Sequence, residues 1–157
     1  MRKLFCFTIV SGLLLSAAGV KAQDKIDFEK NIYPFVKSSC VTCHRPPHEY
    51  EVRGRMRTKK PKAGIILSTK EGILSAEGES GTKILVPGEP DKSRMLEVTL
   101  LPLDDEMHFP PEGKAPQWTK AEKELFAKWI EQGADFGDWT EDPNPGEGLE
   151  WDGKERE

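Results

Sequence analysis

The chain has 157 residues, 27 acidic against 23 basic, for a net charge of −4. That length suits one domain with a real core, and the acidic balance argues against a nucleic-acid partner. Three cysteines are too few for a disulfide framework.

Residues 1–22, MRKLFCFTIVSGLLLSAAGVKA, begin with Arg2 and Lys3. They continue as an apolar run from Leu4 to about Val20 and end in Val20-Lys21-Ala22. This is the pattern of a signal peptide, and it predicts a periplasmic or otherwise exported protein. No later stretch approaches the roughly 20 apolar residues of a span, so no membrane span is expected in the mature chain. Cys6 leaves with the leader, and loss of Arg2, Lys3 and Lys21 takes the net charge to −7.

Residues 24–136 read as one mostly α domain. Asp27 is a candidate N-cap for a helix with Phe28, Ile32 and Phe35/Val36 on one face, which Pro34 should kink or split. Cys40, Cys43 and His44 follow in SSCVTCHRPP. The segment from Arg45 to Lys62, with seven Lys/Arg against two Glu, reads as a loop. Ser68 and Glu71 suggest a capping box opening a short helix, and Ile84 to Val86 a brief extended piece. Pro90 is placed to start a helix that groups Met95, Leu96 and Thr99 and that Pro102 stops. LDDEMHFPPEGKAPQ is a second irregular loop. The last helix has a capping box in Thr119 and Glu122, a stripe of Leu125, Phe126, Trp129 and Ile130, and Gly133 as C-terminal cap. Residues 137–157 are acidic and rich in Gly and Pro. They are expected to be disordered, or to pack only through Trp139 and Trp151.

The two cysteines of the mature chain stand three apart. A disulfide there would close a very small loop and stabilise little, so a chemical role is expected. C-x-x-C followed by His is the attachment pattern for haem c. Two thiols at this spacing can each form a thioether with a haem vinyl group, and His44 is then held as proximal iron ligand. A zinc site would need two more ligands in a similar pair, whereas only His48 and His108 remain. A thioredoxin-like motif would need a preceding strand in a βαβ setting. A second axial ligand could be a Met thioether. Met95 reads as core and Met56 as surface. Met107 is favoured, with His108 or an open iron as the alternatives.

DFEKNIYPFVKSSCVTCH, ILVPGEPDKSRML, DDEMHFPPEGK and KELFAKWIEQGADF together resemble the planctomycete-type cytochrome c domain over about Ile26 to Phe136. The resemblance implies a small cytochrome c-like fold. In it the N- and C-terminal helices cross, and long loops surround one covalently bound haem c. It maps Cys40 and Cys43 to the thioethers and His44 to the iron. Phe109 stands where the family commonly has the distal Met, directly before Pro-Pro, and Met107 is two residues earlier. The expected role is an electron carrier serving redox partner proteins, and not an enzyme. The alternatives are a peroxidase-like enzyme or gas sensor with an open distal site, and a haem-bearing module of a cell-surface assembly. Asp104, Asp105 and Glu106 read as a solvated rim.

Overall fold

Asp27 opens the first helical run, its side chain accepting the Lys30 N–H at 2.9 Å. These coordinates are a computed structural model that describes residues 24–78 and 80–156; the expected signal peptide and Cys6 lie outside the described residues. The run starts as a π turn, Phe28–Ile32, passes into α1 (Tyr33–Val36) and ends as a second π turn, Lys37–Val41. The winding changes at the residue before Pro34, whose missing N–H and ring disfavour an unbroken α ladder. Phe28, Ile32, Phe35 and Val36 are buried on one face.

The basic segment is not a loop. His48–Val52 (β1) and Arg55–Lys59 (β2) pair antiparallel, joined at Arg53 and Gly54, which both have positive φ. Such a two-residue turn matches the strand twist. His48, Tyr50 and Val52 stand opposite Lys59, Arg57 and Arg55, while Glu49 and Glu51 stand opposite Thr58 and Met56. Since successive side chains alternate faces, the pleat sorts the cations onto one face and the glutamates onto the other. The hairpin escapes sequence analysis because neither face is apolar, which removes the usual period-2 signal.

Helix α2 spans Lys70–Ser75. Its cap is Thr69, not Ser68, accepting the Gly72 N–H at 3.0 Å. Pro90 opens only a 3-10 turn, Pro90–Lys92, and α3 (Arg94–Leu100) follows separately. Met95, Leu96 and Thr99 are its buried side chains. Ser93 breaks the two apart: its hydroxyl accepts the Val86 N–H at 2.9 Å and donates to the Glu89 carbonyl at 3.1 Å. Helix α4 (Lys120–Glu131) has the expected Thr119/Glu122 capping box and buries Phe126, Trp129 and Ile130. It ends at Gly133, whose φ of 98° suits that residue.

The core is aromatic. Phe28 stands 5.0 Å from Trp129, 4.5 Å from Phe136 and 4.7 Å from Trp139, ring centre to ring centre. Phe35 and Phe126 both pack edge-on against Trp118, at 4.8 and 4.9 Å. First and last helices therefore share one core in a mostly helical fold with a small sheet.

The acidic tail is a structured strap, held by Trp139 as one reading allowed and by polar contacts that neither reading foresaw. Trp139 is buried against Phe28 and Tyr33. The Lys70 N–H donates to the Thr140 carbonyl, and the Asp142 N–H to that of Ser68. Asp142 Oδ2 accepts from Tyr33 Oη and pairs with Lys37 Nζ, each at 2.8 Å. Acidity and the lack of an apolar period conceal these contacts, because each partner lies on a distant element. The domain thus extends past Phe136 through the strap.

Candidate haem-attachment site

The second π turn delivers the motif. The N–H groups of Cys43 and His44 both donate to the Cys40 carbonyl at 3.1 Å, so the three residues follow one tight turn at the helix end. The chain leaves as the hairpin and then returns. Lys62 N–H donates to the Cys43 carbonyl at 2.9 Å, and Leu67 N–H to that of His44 at 2.8 Å. The hairpin is an excursion whose two roots close onto the motif.

Cys40 and Cys43 are half-buried and form no disulfide. Burial pushes the Cys40 thiol up to about 12; the Arg156 charge opposes this and Cys43 adds to it. Burial also lowers the His44 pKa, outweighing nearby backbone groups of Ile65 and Lys62. Its Nδ1 is buried and makes no hydrogen bond. The motif thus presents two unpaired cysteines, the Cys40 thiol held protonated by burial, and an imidazole biased to its neutral form, with a nitrogen lone pair to offer.

The two candidate distal residues are adjacent but placed very differently. Met107 is 43% exposed, and its backbone N–H donates to Asp105 Oδ1 at 2.8 Å. His108 is buried. Its Nδ1 is hydrogen-bonded to the Leu101 carbonyl at 2.8 Å, and its Nε2 to Gln117 Oε1 at 2.7 Å. Both ring nitrogens are engaged within the protein. Met95 is buried in the core and Met56 is exposed on β2, as expected. His48 Nδ1 is hydrogen-bonded to the Pro46 carbonyl at 3.2 Å.

The donor set fits haem better than a bare metal ion. Among the described residues no group of three or more His, Cys, Asp or Glu is gathered, whereas structural zinc needs four protein ligands. Leu100, Leu103, Met107 and Phe109 leave a run of apolar side chains exposed.

Residues 40–113 match the family model described as planctomycete cytochrome C. Over that span the chain is similar to the planctomycete cytochrome C domain. The matched span opens on Cys40 and closes on Gly113, so it contains the whole C-x-x-C-H motif and the Met107 loop. A cytochrome of this family implies covalently bound haem c. No curated protein and no solved structure matches the chain. Among the described residues of the chain, no helix is long and apolar enough to cross a membrane.

Three polar residues around the site escaped sequence analysis: Gln117, Asp142 and Arg156. Each lies in a stretch without periodicity, and its partners stand 38 to 118 positions away or across a loop.

Proposed function

We propose that this is an exported monohaem c-type cytochrome that transfers electrons between redox partner proteins, with His44 and Met107 as axial ligands. The C-x-x-C-H turn carries the proposal: two free thiols and a neutral-biased imidazole at one helix end, inside the matched family span. A cytochrome c-like crossing of the first helical run and α4 around the haem accords with their shared aromatic core.

Bound haem would supply a one-electron iron couple whose potential its axial ligands tune. The chain's part is to hold it. Cys40 and Cys43 would hold it through thioethers to its vinyl groups, each formed by adding S–H across the double bond, so no oxidant would be consumed. Burial keeps Cys40 protonated before attachment and His44 unprotonated for ligation. Pro110 and Pro111 stiffen the loop beside Met107. The locked His108 ring supports Met107 as the distal ligand, since a bis-histidine site would require two buried hydrogen bonds to break.

The test is direct. Co-expressed with a haem maturation system, the mature chain should keep a haem-staining band on a denaturing gel, with one haem per chain. Replacing Cys40 and Cys43 together with Ser should abolish it. The ferric protein should show a weak far-red iron–sulfur band, which Met107→Ala erases while lowering the potential. A wild-type protein without haem sinks the proposal. A high-spin ferric spectrum with rapid cyanide binding would replace the electron carrier with an open-site enzyme or sensor.

A further inference from the structure

The strap returns to the haem-attachment helix at its far end. Arg156 Nη1 donates to Ser38 Oγ at 2.5 Å, and Nη2 donates to Ser39 Oγ at 2.9 Å and to the Gln117 carbonyl at 3.0 Å. Its Nε stands 3.2 Å from Glu122 Oε1. Ser38 and Ser39 directly precede Cys40, and Glu122 belongs to the capping box of α4. One guanidinium therefore touches the attachment turn, the 101–119 segment and the start of the last helix. Beside it, Glu155 Oε2 accepts the Gln117 N–H at 2.6 Å.

Gln117 faces two ways. The strap holds its backbone, while its side chain holds the distal loop. Oε1 is hydrogen-bonded to His108 Nε2 at 2.7 Å, and Nε2 donates to the Pro110 carbonyl at 2.8 Å. His108 reaches Leu101 in turn, and Ser39 Oγ donates to the Pro116 carbonyl at 2.7 Å. Leu103, Met107 and Phe109 are exposed, whereas Pro110, Ala115 and Pro116 are buried, so hydrogen bonds rather than buried apolar side chains hold the part of the loop that carries Met107.

We propose that the C-terminal strap is a clamp on the distal side of the haem. Arg156 and Glu155 fix Gln117 against the attachment helix, and Gln117, through His108 and Pro110, positions the loop that offers Met107. The iron ligation in this proposal rests on the His/Met reading above; the clamp itself does not. Gln117 and Arg156 are positioning residues, since neither offers an atom to the iron. The planar fork of Arg can serve several acceptors in fixed directions, which a lysine point charge cannot. A segment held by few apolar contacts opens locally when such bonds are lost.

The experiment uses the full-length holoprotein with Arg156→Ala, Arg156→Lys and Gln117→Ala. Amide hydrogen exchange is read by mass spectrometry, and the rate of cyanide binding to ferric iron is read alongside. Exchange across 103–117 should quicken by about tenfold in all three variants, a size in keeping with losing charged or buried hydrogen bonds. Amides of α4 should keep wild-type rates, and cyanide should bind correspondingly faster. A lysine variant that behaves like wild type would reduce Arg156 to a nearby charge and overturn the clamp. So would unchanged loop exchange in Arg156→Ala, or faster exchange spread equally over α4. Should Gln117→Ala fail to fold, the two Arg156 variants decide. The His/Met reading fails separately, if the wild-type ferric protein lacks the far-red band; loop exchange still judges the clamp.

Discussion

His108 and Asp142 show how one polar side chain can decide a local structure. His108 sits in the sequence as a possible iron ligand, yet in the fold it is a buried strut between Leu101 and Gln117. His108→Ala should lower stability by about 1–3 kcal/mol, the usual consequence of leaving buried partners unpaired, as measured by urea unfolding. It should leave the covalent haem in place. For Asp142, burial alone would raise the pKa. Lys37, the Asn144 N–H and the Tyr33 hydroxyl together outweigh burial and hold it below the ordinary carboxylate range. A carboxyl depressed in the folded state contributes stability that is present above its unfolded pKa and is lost as pH falls through the folded one. Unfolding free energy should therefore decline on acidification below about pH 4, and Asp142→Asn should flatten part of that decline. The variant should also be less stable at neutral pH by about 1–3 kcal/mol. An unaltered acid limb would show that Asp142 contributes nothing to it.

At the scale of elements, α4 and the hairpin behave oppositely. Helix α4 was legible from residues 119–133 alone, because its cap, apolar stripe and terminal glycine all point to one structure. Trp129 is buried against Phe28 and Phe136. Trp129→Ala should cost about 3–5 kcal/mol, and Thr119→Ala about 1 kcal/mol, both read as shifts in melting midpoint. The hairpin was illegible, as its charges fall on both faces and Arg53 occupies a turn position where Asn or Asp is usual. An isolated two-stranded hairpin is marginal in water, and this one is held to the protein where its ends close on Cys43 and His44. Replacing residues 48–59 with a short flexible linker should leave the melting midpoint within a few degrees. If its Arg55, Arg57 and Lys59 face steers redox partners, changing those three to Gln should slow electron transfer to an acidic partner and weaken its salt dependence. Equal salt dependence in both proteins would exclude that face as the docking surface.

At the scale of the molecule, the strap makes the domain continuous from Asp24 to Arg156. Deleting residues 137–157 removes Trp139 from the aromatic core, Asp142 from the first helical run and Arg156 from the attachment turn. The aromatic loss alone should cost about 3–5 kcal/mol, so the truncated chain should be severely destabilised or unable to fold. A truncation that melts within a few degrees of the full chain would make the strap an accessory. The same deletion should expose the distal loop, because Gln117 loses both backbone partners supplied by the strap.

Local chemistry decided what the sequence alone could tell. The C-x-x-C-H spacing, the Asp27 and Thr119 caps, the apolar face of the first helical run and the stripe of α4 each depend on residues within one or two turns. Those interactions are short-range and recur wherever the spacing recurs. The strap, the hairpin's charged faces and the engagement of His108 depend on partners brought together only by folding. Gln117 lies 9 positions from His108 and 38 from Glu155; Arg156 lies 117 from Ser39. No periodicity encodes such pairs, since a hydrogen bond between distant residues needs the intervening chain to be folded before either partner has an address.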